Sequence, residues 1–252
     1  MDDFQNFSVA VITFAASCCP PTRAHIDVIT RARDVLIGVG KPLTAPLSGA
    51  HDACVALICC DNDELVRRKL AKASSDDPYL SLKFRERLLQ LEIEATNGSM
   101  PWITVVEGWP RISQLRSRYP SLSFVPYAVN GADEVVIDRK WIGCSRTRRL
   151  LTVARGDYTA QILKAVKNYS CNPDYFILAP KVNEASCSVA RKALRECDQA
   201  LLKTILCPLS LQWLQNAKCS PFSKFYREYL RHIIAEQKKM EASELNTEIS
   251  EP

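Results

Sequence analysis

A parallel β-sheet with helices on both faces is the architecture this chain predicts. Two observations carry it. Short apolar runs without internal alternation recur along the chain, as in strands buried on both faces. Stretches with helical spacing of apolar residues separate them, the β-then-α order of a doubly covered sheet. The 252 residues suffice for one sizeable core.

The elements follow in order. "SVAVITF" (8–14) reads as the first buried strand. Residues 22–36 read as a helix, with Ile26, Ile29, Val35 and Leu36 near one face and Arg23, Arg31 and Arg33 largely away from it. "ACVALICC" (53–60) is a second strand. "SDDPYLSLKFRERLLQLEIEATN" has a Ser/Asp/Pro start, then Leu82, Leu88, Leu89 and Leu91, and ends before Asn97-Gly98, as a helix does. "WITVVEG" (102–108), "LSFVPYAVNGAD" (122–133), "RRLLTVARGD" (148–157) and "YFILAP" (175–180) supply four more strands. A helix from 188 to 202 carries Val189, Ala193, Cys197 and Ala200 on one stripe, and a shorter one covers 209–215. This predicts an α/β domain over residues 1–219, a C-terminal helix over 220–239 and a disordered tail over 240–252. Open parallel sheets of this Rossmann-like kind bind ligands at the carboxyl ends of their strands.

Bulk chemistry narrows the partners. With 33 Lys and Arg against 28 Asp and Glu, the net charge is +5. That suits a small anionic ligand and falls short of the concentrated basic footprint of a nucleic-acid binder. The eleven cysteines are scattered, odd in number and mostly set in apolar runs; they form no C-x-x-C pair, and only His25, His51 and His232 could assist them. This disfavours a zinc centre and predicts reduced core thiols in an intracellular protein. Asp2 and Asp3 stand where a secretory leader would need positive charge, and no apolar run is long enough to span a membrane.

The turn "AASCCPPTRAH" carries the first chemical signal. Thr22 can cap the helix that follows, and the loop Ala15–Pro21 lies before its positive end, where an anion is favoured. Ala15, Ala16 and Ser17 are small enough to let backbone amides approach a phosphate. His25 sits one turn inside. On these residues alone, a capped helix with a partly exposed histidine fits as well as a phosphate cradle.

Three segments together resemble the nucleotidylyltransferase superfamily. Ser17-Cys18-Cys19-Pro20-Pro21-Thr22-Arg23-Ala24-His25 matches its pattern G-[ST]-F-x-P-[PI]-[HT]-x-x-H between strand and helix. "NGADEVV" resembles its G-x-D, at Gly131 and Asp133. "NEASCSVARKAL" resembles its late I-S-x-[ST]-x-x-R, at Ser186, Ser188 and Arg191. A decoy, "CSRTRR" (144–149), lacks an arginine three residues after Thr147 and leads into a strand. The resemblance covers residues 8–216. Smaller echoes resemble the eukaryotic branch of nicotinamide mononucleotide adenylyltransferases: Glu107 and Trp109 in "VVEGWP", Arg155 and Gly156 in "TVARGD", Arg87 opening "RERLLQLEIEA", and Thr22 with Ala24 before His25, the latter similar to a fungal subgroup.

The resemblance implies transfer of AMP from ATP to nicotinamide mononucleotide, giving NAD and pyrophosphate, with Mg²⁺ accompanying ATP. The acceptor phosphate is already an anion, so the site must position it and cancel charge rather than remove a proton. It implies His25 on the transferring phosphate, Thr22 and Ser17 with the turn residues Ala16 and Cys18 on the phosphates, and Arg191, Ser186 and Ser188 at the β/γ end. Gly131 and Asp133 would lie beside the nucleoside, Arg155 would bind nearby, and Trp109 would stack on the second base. The implied partners are these two nucleotides, in the cytoplasm or nucleus; neither membrane nor nucleic acid is expected. The chain departs from the pattern at Ala15 and Ala16, where glycines are usual, at Cys18 and Cys19, and in a lysine whose nearest match is Lys41. A nucleotide-binding protein with weak or lost catalysis, in a regulatory or chaperone role, or another adenylyl- or cytidylyltransferase, is therefore a second reading. A third takes the arginines and Trp141 of "DRKWIGCSRTRR" (138–149) as an RNA-binding patch, against a solvated loop before a strand.

Overall fold

The computed structural model describes residues 7–73, 79–96, 98–108, 111–182, 186–196 and 198–216. Among them six strands form one all-parallel sheet: β1 (Ser8–Ala16), β2 (Ala53–Cys60), β3 (Ile103–Val105), β4 (Ser123–Asn130), β5 (Arg149–Val153) and β6 (Phe176–Ala179). Their order is β3-β2-β1-β4-β5-β6, so the chain builds outward from β1 in one direction and then returns to start the other half at β4. This is a Rossmann-like α/β fold, and the crevice at such a reversal is where these sheets take ligands.

Alternate residues of β1 serve opposite faces. Ala10, Ile12 and Phe14 pack under α1 (Arg23–Leu36), whose Ala24, Ile26, Ile29, Ala32, Val35 and Leu36 are all buried. A fully buried Ile or Leu contributes roughly 1.5–3 kcal/mol, so this one stripe anchors the first crossover. Val9 and Val11 turn the other way, against Phe124 and the Ile112 and Leu115 side chains of α4 (Ile112–Arg118). The same second face is closed over Leu150, Phe176 and Leu178 by α5 (Ala132–Ile137) and α6 (Tyr158–Asn168). A separate cluster joins α2 (Asp63–Ala73) and α3 (Leu82–Glu94) to α7 (Cys187–Glu196), α8 (Gln199–Ile205) and α9 (Pro208–Asn216). Trp213 meets Phe84 edge-on there.

Several expectations need correction. β1 runs two residues further than expected, so Ala15 and Ala16 are paired with Cys59 and Cys60 and belong to the strand. β4 stops at Asn130, because Gly131 caps α5 and "ADEVVI" is helical. The single helix over 188–202 is two: the Asp198 carboxylate accepts the Leu201 N–H at 2.9 Å and starts α8. The buried stripe of α7 is accordingly Ala190, Arg191, Ala193 and Leu194, while Val189 and Ala200 are exposed. Trp141 lies in a 3₁₀ turn (Lys140–Gly143), buried against α5 and α6, so it offers no open ring for a base. The C-terminal helix, the tail and Trp109 fall outside the described residues. No helix among the described residues is long and apolar enough to cross a membrane.

Candidate functional site

At the carboxyl ends of β1 and β4 the molecule opens into a cavity of about 680 Å³. Its floor is Phe14 to Ser17, and the turn beyond Ser17 lifts the chain into α1. Cys18 adopts φ +47° and the Cys19–Pro20 peptide is cis. The turn is held from beneath by Arg85 of α3, which is fully buried. Its guanidinium donates to the Ser17 carbonyl at 2.8 Å, the Leu80 carbonyl at 3.0 Å and the Asp63 carboxylate at 2.8 Å. Above, the Ser17 hydroxyl donates to Asp61 at 3.0 Å, and Lys69 of α2 reaches both Asp61 at 2.8 Å and the Ser17 oxygen at 3.2 Å.

Thr22 and His25 form one unit at the start of α1. The Thr22 backbone N–H donates to His25 Nδ1 at 3.0 Å, and the Thr22 hydroxyl lies 2.9 Å from the same nitrogen. Receiving a backbone N–H at Nδ1 places the hydrogen of the neutral ring on Nε2. That atom faces the Cys187 Sγ at 3.5 Å, at the first residue of α7. Burial would push the histidine pKa down, but the Cys187 charge and hydrogen bond, with the Thr22 carbonyl 3.3 Å from Nδ1 as acceptor for a protonated ring, turn the net shift upward. Burial would push Cys187 up; the His25 charge and hydrogen bond, the Cys19 backbone and Arg191 outweigh it and lower the thiol. Cys18 is the opposite case: its hydrogen bond to Cys60 and its burial raise it well above an ordinary thiol.

The remaining walls come from three other segments. Asn130, Gly131, Asp133 and Glu134 form the β4–α5 junction, where a Cβ added at position 131 would lie 2.6 Å from Asp133 Oδ1. The carboxylate therefore folds against a spot that suits glycine. Arg155 follows β5. Arg191 on α7 is buried, with Nη1 donating to the Cys19 carbonyl at 2.8 Å and Nη2 to the Ser188 hydroxyl at 3.2 Å. Ser186 accepts the Val189 N–H at 3.2 Å and so caps α7. α1, α2, α7 and the segment after β5 bring His25, Lys69, Arg191 and Arg155 to the wall, whereas α5 and its C-cap bring Asp133, Glu134 and Asp138.

Of the residues singled out from sequence, Ala16, Ser17, His25, Gly131, Asp133, Arg155, Ser186, Ser188 and Arg191 line this one cavity. Thr22 and Cys18 do not reach it; both are fully buried behind the turn, Thr22 orienting the histidine. Lys41 is exposed between α1 and β2 and is not on the wall, which carries Lys69 instead. Arg87 is exposed and paired with Glu94; the arginine under the turn is Arg85. Sequence reasoning missed Asp61, Lys69, Arg85 and Cys187. Asn62 followed by Asp63-Glu64 was a helix-start signal for α2, since Asn62 accepts the Leu65 N–H at 2.9 Å. No protein-family model matches the chain, and no curated protein matches it.

Proposed function

We propose that the cavity binds MgATP and nicotinamide mononucleotide and transfers AMP between them, releasing pyrophosphate. One observation carries the reading: the turn ending in His25, the Gly131/Asp133 corner, and the Ser186 to Arg191 helix start, which the resemblance links by motif alone, line the same cavity. In the reaction a phosphate oxygen of the mononucleotide forms a bond to the α-phosphorus of ATP, and the bond to the bridging oxygen of pyrophosphate breaks. No proton has to move. His25 Nε2–H, Arg191 and Lys69 supply donors and positive charge where the phosphates would lie, and the N-termini of α1 and α7 add theirs. Mg²⁺ belongs to the MgATP substrate, held by phosphate oxygens and water; among the described residues no three His, Cys, Asp or Glu side chains converge on one point.

A second reading, binding without turnover, draws support from the contact between Cys187 and His25 Nε2. Ala15 and Ala16, paired within the sheet, add to it. Turnover of purified protein against a panel of nucleotides and acceptors, followed by pyrophosphate release, separates the two. Expected is activity with ATP and nicotinamide mononucleotide that falls about 10²–10³-fold in kcat in His25→Ala, the usual cost of one charge-stabilising donor. Unchanged turnover in that variant overturns the assignment; ATP binding without pyrophosphate release favours the second reading.

A further inference from the structure

The geometry points to Cys187 as a reactive thiolate, a modification site for small soft electrophiles and for hydrogen peroxide that opens into the cavity. This goes beyond nucleotide transfer and does not depend on it.

Three features of the structure support it. First, the partner is held in place: His25 Nδ1 is fixed by Thr22, so Nε2 is turned toward Sγ, 3.5 Å away. Nucleophile, proton-bearing ring and a group orienting that ring within hydrogen-bond reach are the arrangement that activates a cysteine. Second, Cys187 opens a ten-residue helix and has Arg191 one turn on, two sources of positive potential that favour a thiolate. Third, it is half-buried on the wall of the cavity, so a small reagent can reach it.

The neighbours do not compete. Cys19 also touches the cavity, but burial raises it first of all, and it is fully buried. Cys18 is raised by Cys60 and by burial. Cys54, Cys59, Cys144, Cys171 and Cys207 are each raised by burial. Cys60 is lowered by its hydrogen bond from Cys18, yet it does not reach the cavity wall. The charged and titratable groups facing Cys187 are thus His25 from α1, Arg191 from its own helix, and the thiols Cys18 and Cys19 from the turn.

The peroxide step balances without a further reactant. The thiolate sulfur attacks one peroxide oxygen, an S–O bond forms and the O–O bond breaks. Hydroxide leaves and takes a proton to become water; sulfur is oxidised by two electrons and peroxide reduced by two. The product is a sulfenic acid, reversible by thiols.

Iodoacetamide is the first probe, applied to the full chain at pH 6.5 and mapped by mass spectrometry to every cysteine, Cys197 and Cys219 included. An ordinary thiol is only about 1 % thiolate at that pH, so Cys187 is expected to react about tenfold faster than any other site, even allowing for the weaker nucleophilicity of a low-pKa thiolate. The wild-type rate–pH profile at Cys187 is expected to have its midpoint below that of an ordinary thiol, and His25→Gln to move it upward. After brief peroxide treatment, a sulfenic-acid trap is expected on Cys187 first. Cys187 reacting no faster than the other cysteines, or a wild-type profile with an ordinary midpoint, overturns the inference whatever the variant does.

Discussion

Arg85 illustrates how much a single buried side chain holds here. Its fork spans Ser17, Leu80 and Asp63, which belong to three separate segments of the chain, and no part of it meets solvent. Removing it leaves the Ser17 and Leu80 carbonyls short of their donor, at about 1–3 kcal/mol for a buried polar group left unsatisfied, while Asp63, 40 % exposed, regains water. Arg85→Met is therefore expected to lose stability in that range by urea denaturation. Arg85→Lys should not restore it, since an ammonium cannot span the same three acceptors. Nothing in the sequence distinguished this arginine from Arg87 two positions on. Helical spacing sorts apolar from polar positions, and a buried arginine violates that sorting.

Between elements, α9 is docked onto α3 through Glu92, whose two carboxylate oxygens accept the Cys207 N–H at 3.0 and 3.2 Å. Burial raises the Glu92 pKa above that of an ordinary glutamate, more than the hydrogen bonds from Cys207 and Ser210 lower it. The folded chain then keeps this proton at a pH where the unfolded chain has released it. The stabilisation is complete below the ordinary glutamate value and is lost as pH rises through the raised one. Glu92→Gln cannot ionise, so its stability relative to wild type should improve as pH rises through that window, in urea melts compared at pH 4 and pH 7. Elements differed sharply in how far they could be read. All six strands were visible as apolar runs, because strands covered on both faces leave no alternation to misread. By contrast α2 and α6 were not singled out, although each packs a short run of apolar side chains at helical spacing, Val66 with Leu70 in one and Ile162 with Ala165 and Val166 in the other.

At the scale of the molecule, the cavity is assembled from the ends of β1, β4 and β5 together with α1, α2, α5 and α7. It exists only when both halves of the sheet are in place, so a ligand that fills it stabilises the whole fold and not one corner. MgATP at a hundredfold excess over its Kd should add about 2.7 kcal/mol, raising Tm by roughly 5–10 °C for a chain of this size. Differential scanning fluorimetry checks this; no shift with MgATP at any concentration counts against nucleotide binding. The motifs marked many of the wall residues in advance because they sit at strand ends and helix starts, where spacing along the chain is read directly. Lys69 and Cys187 needed the third dimension, one arriving on an unrecognised helix and the other hidden at a variable position within a motif. A last consequence comes from the bond between the Thr22 amide and His25 Nδ1. With that nitrogen's lone pair engaged by the backbone, the neutral ring turns its one hydrogen toward Cys187 and the cavity and meets them as a donor. A group bound beside this ring is met by an N–H, so lone pairs or negative charge suit the spot better than a hydrogen of its own.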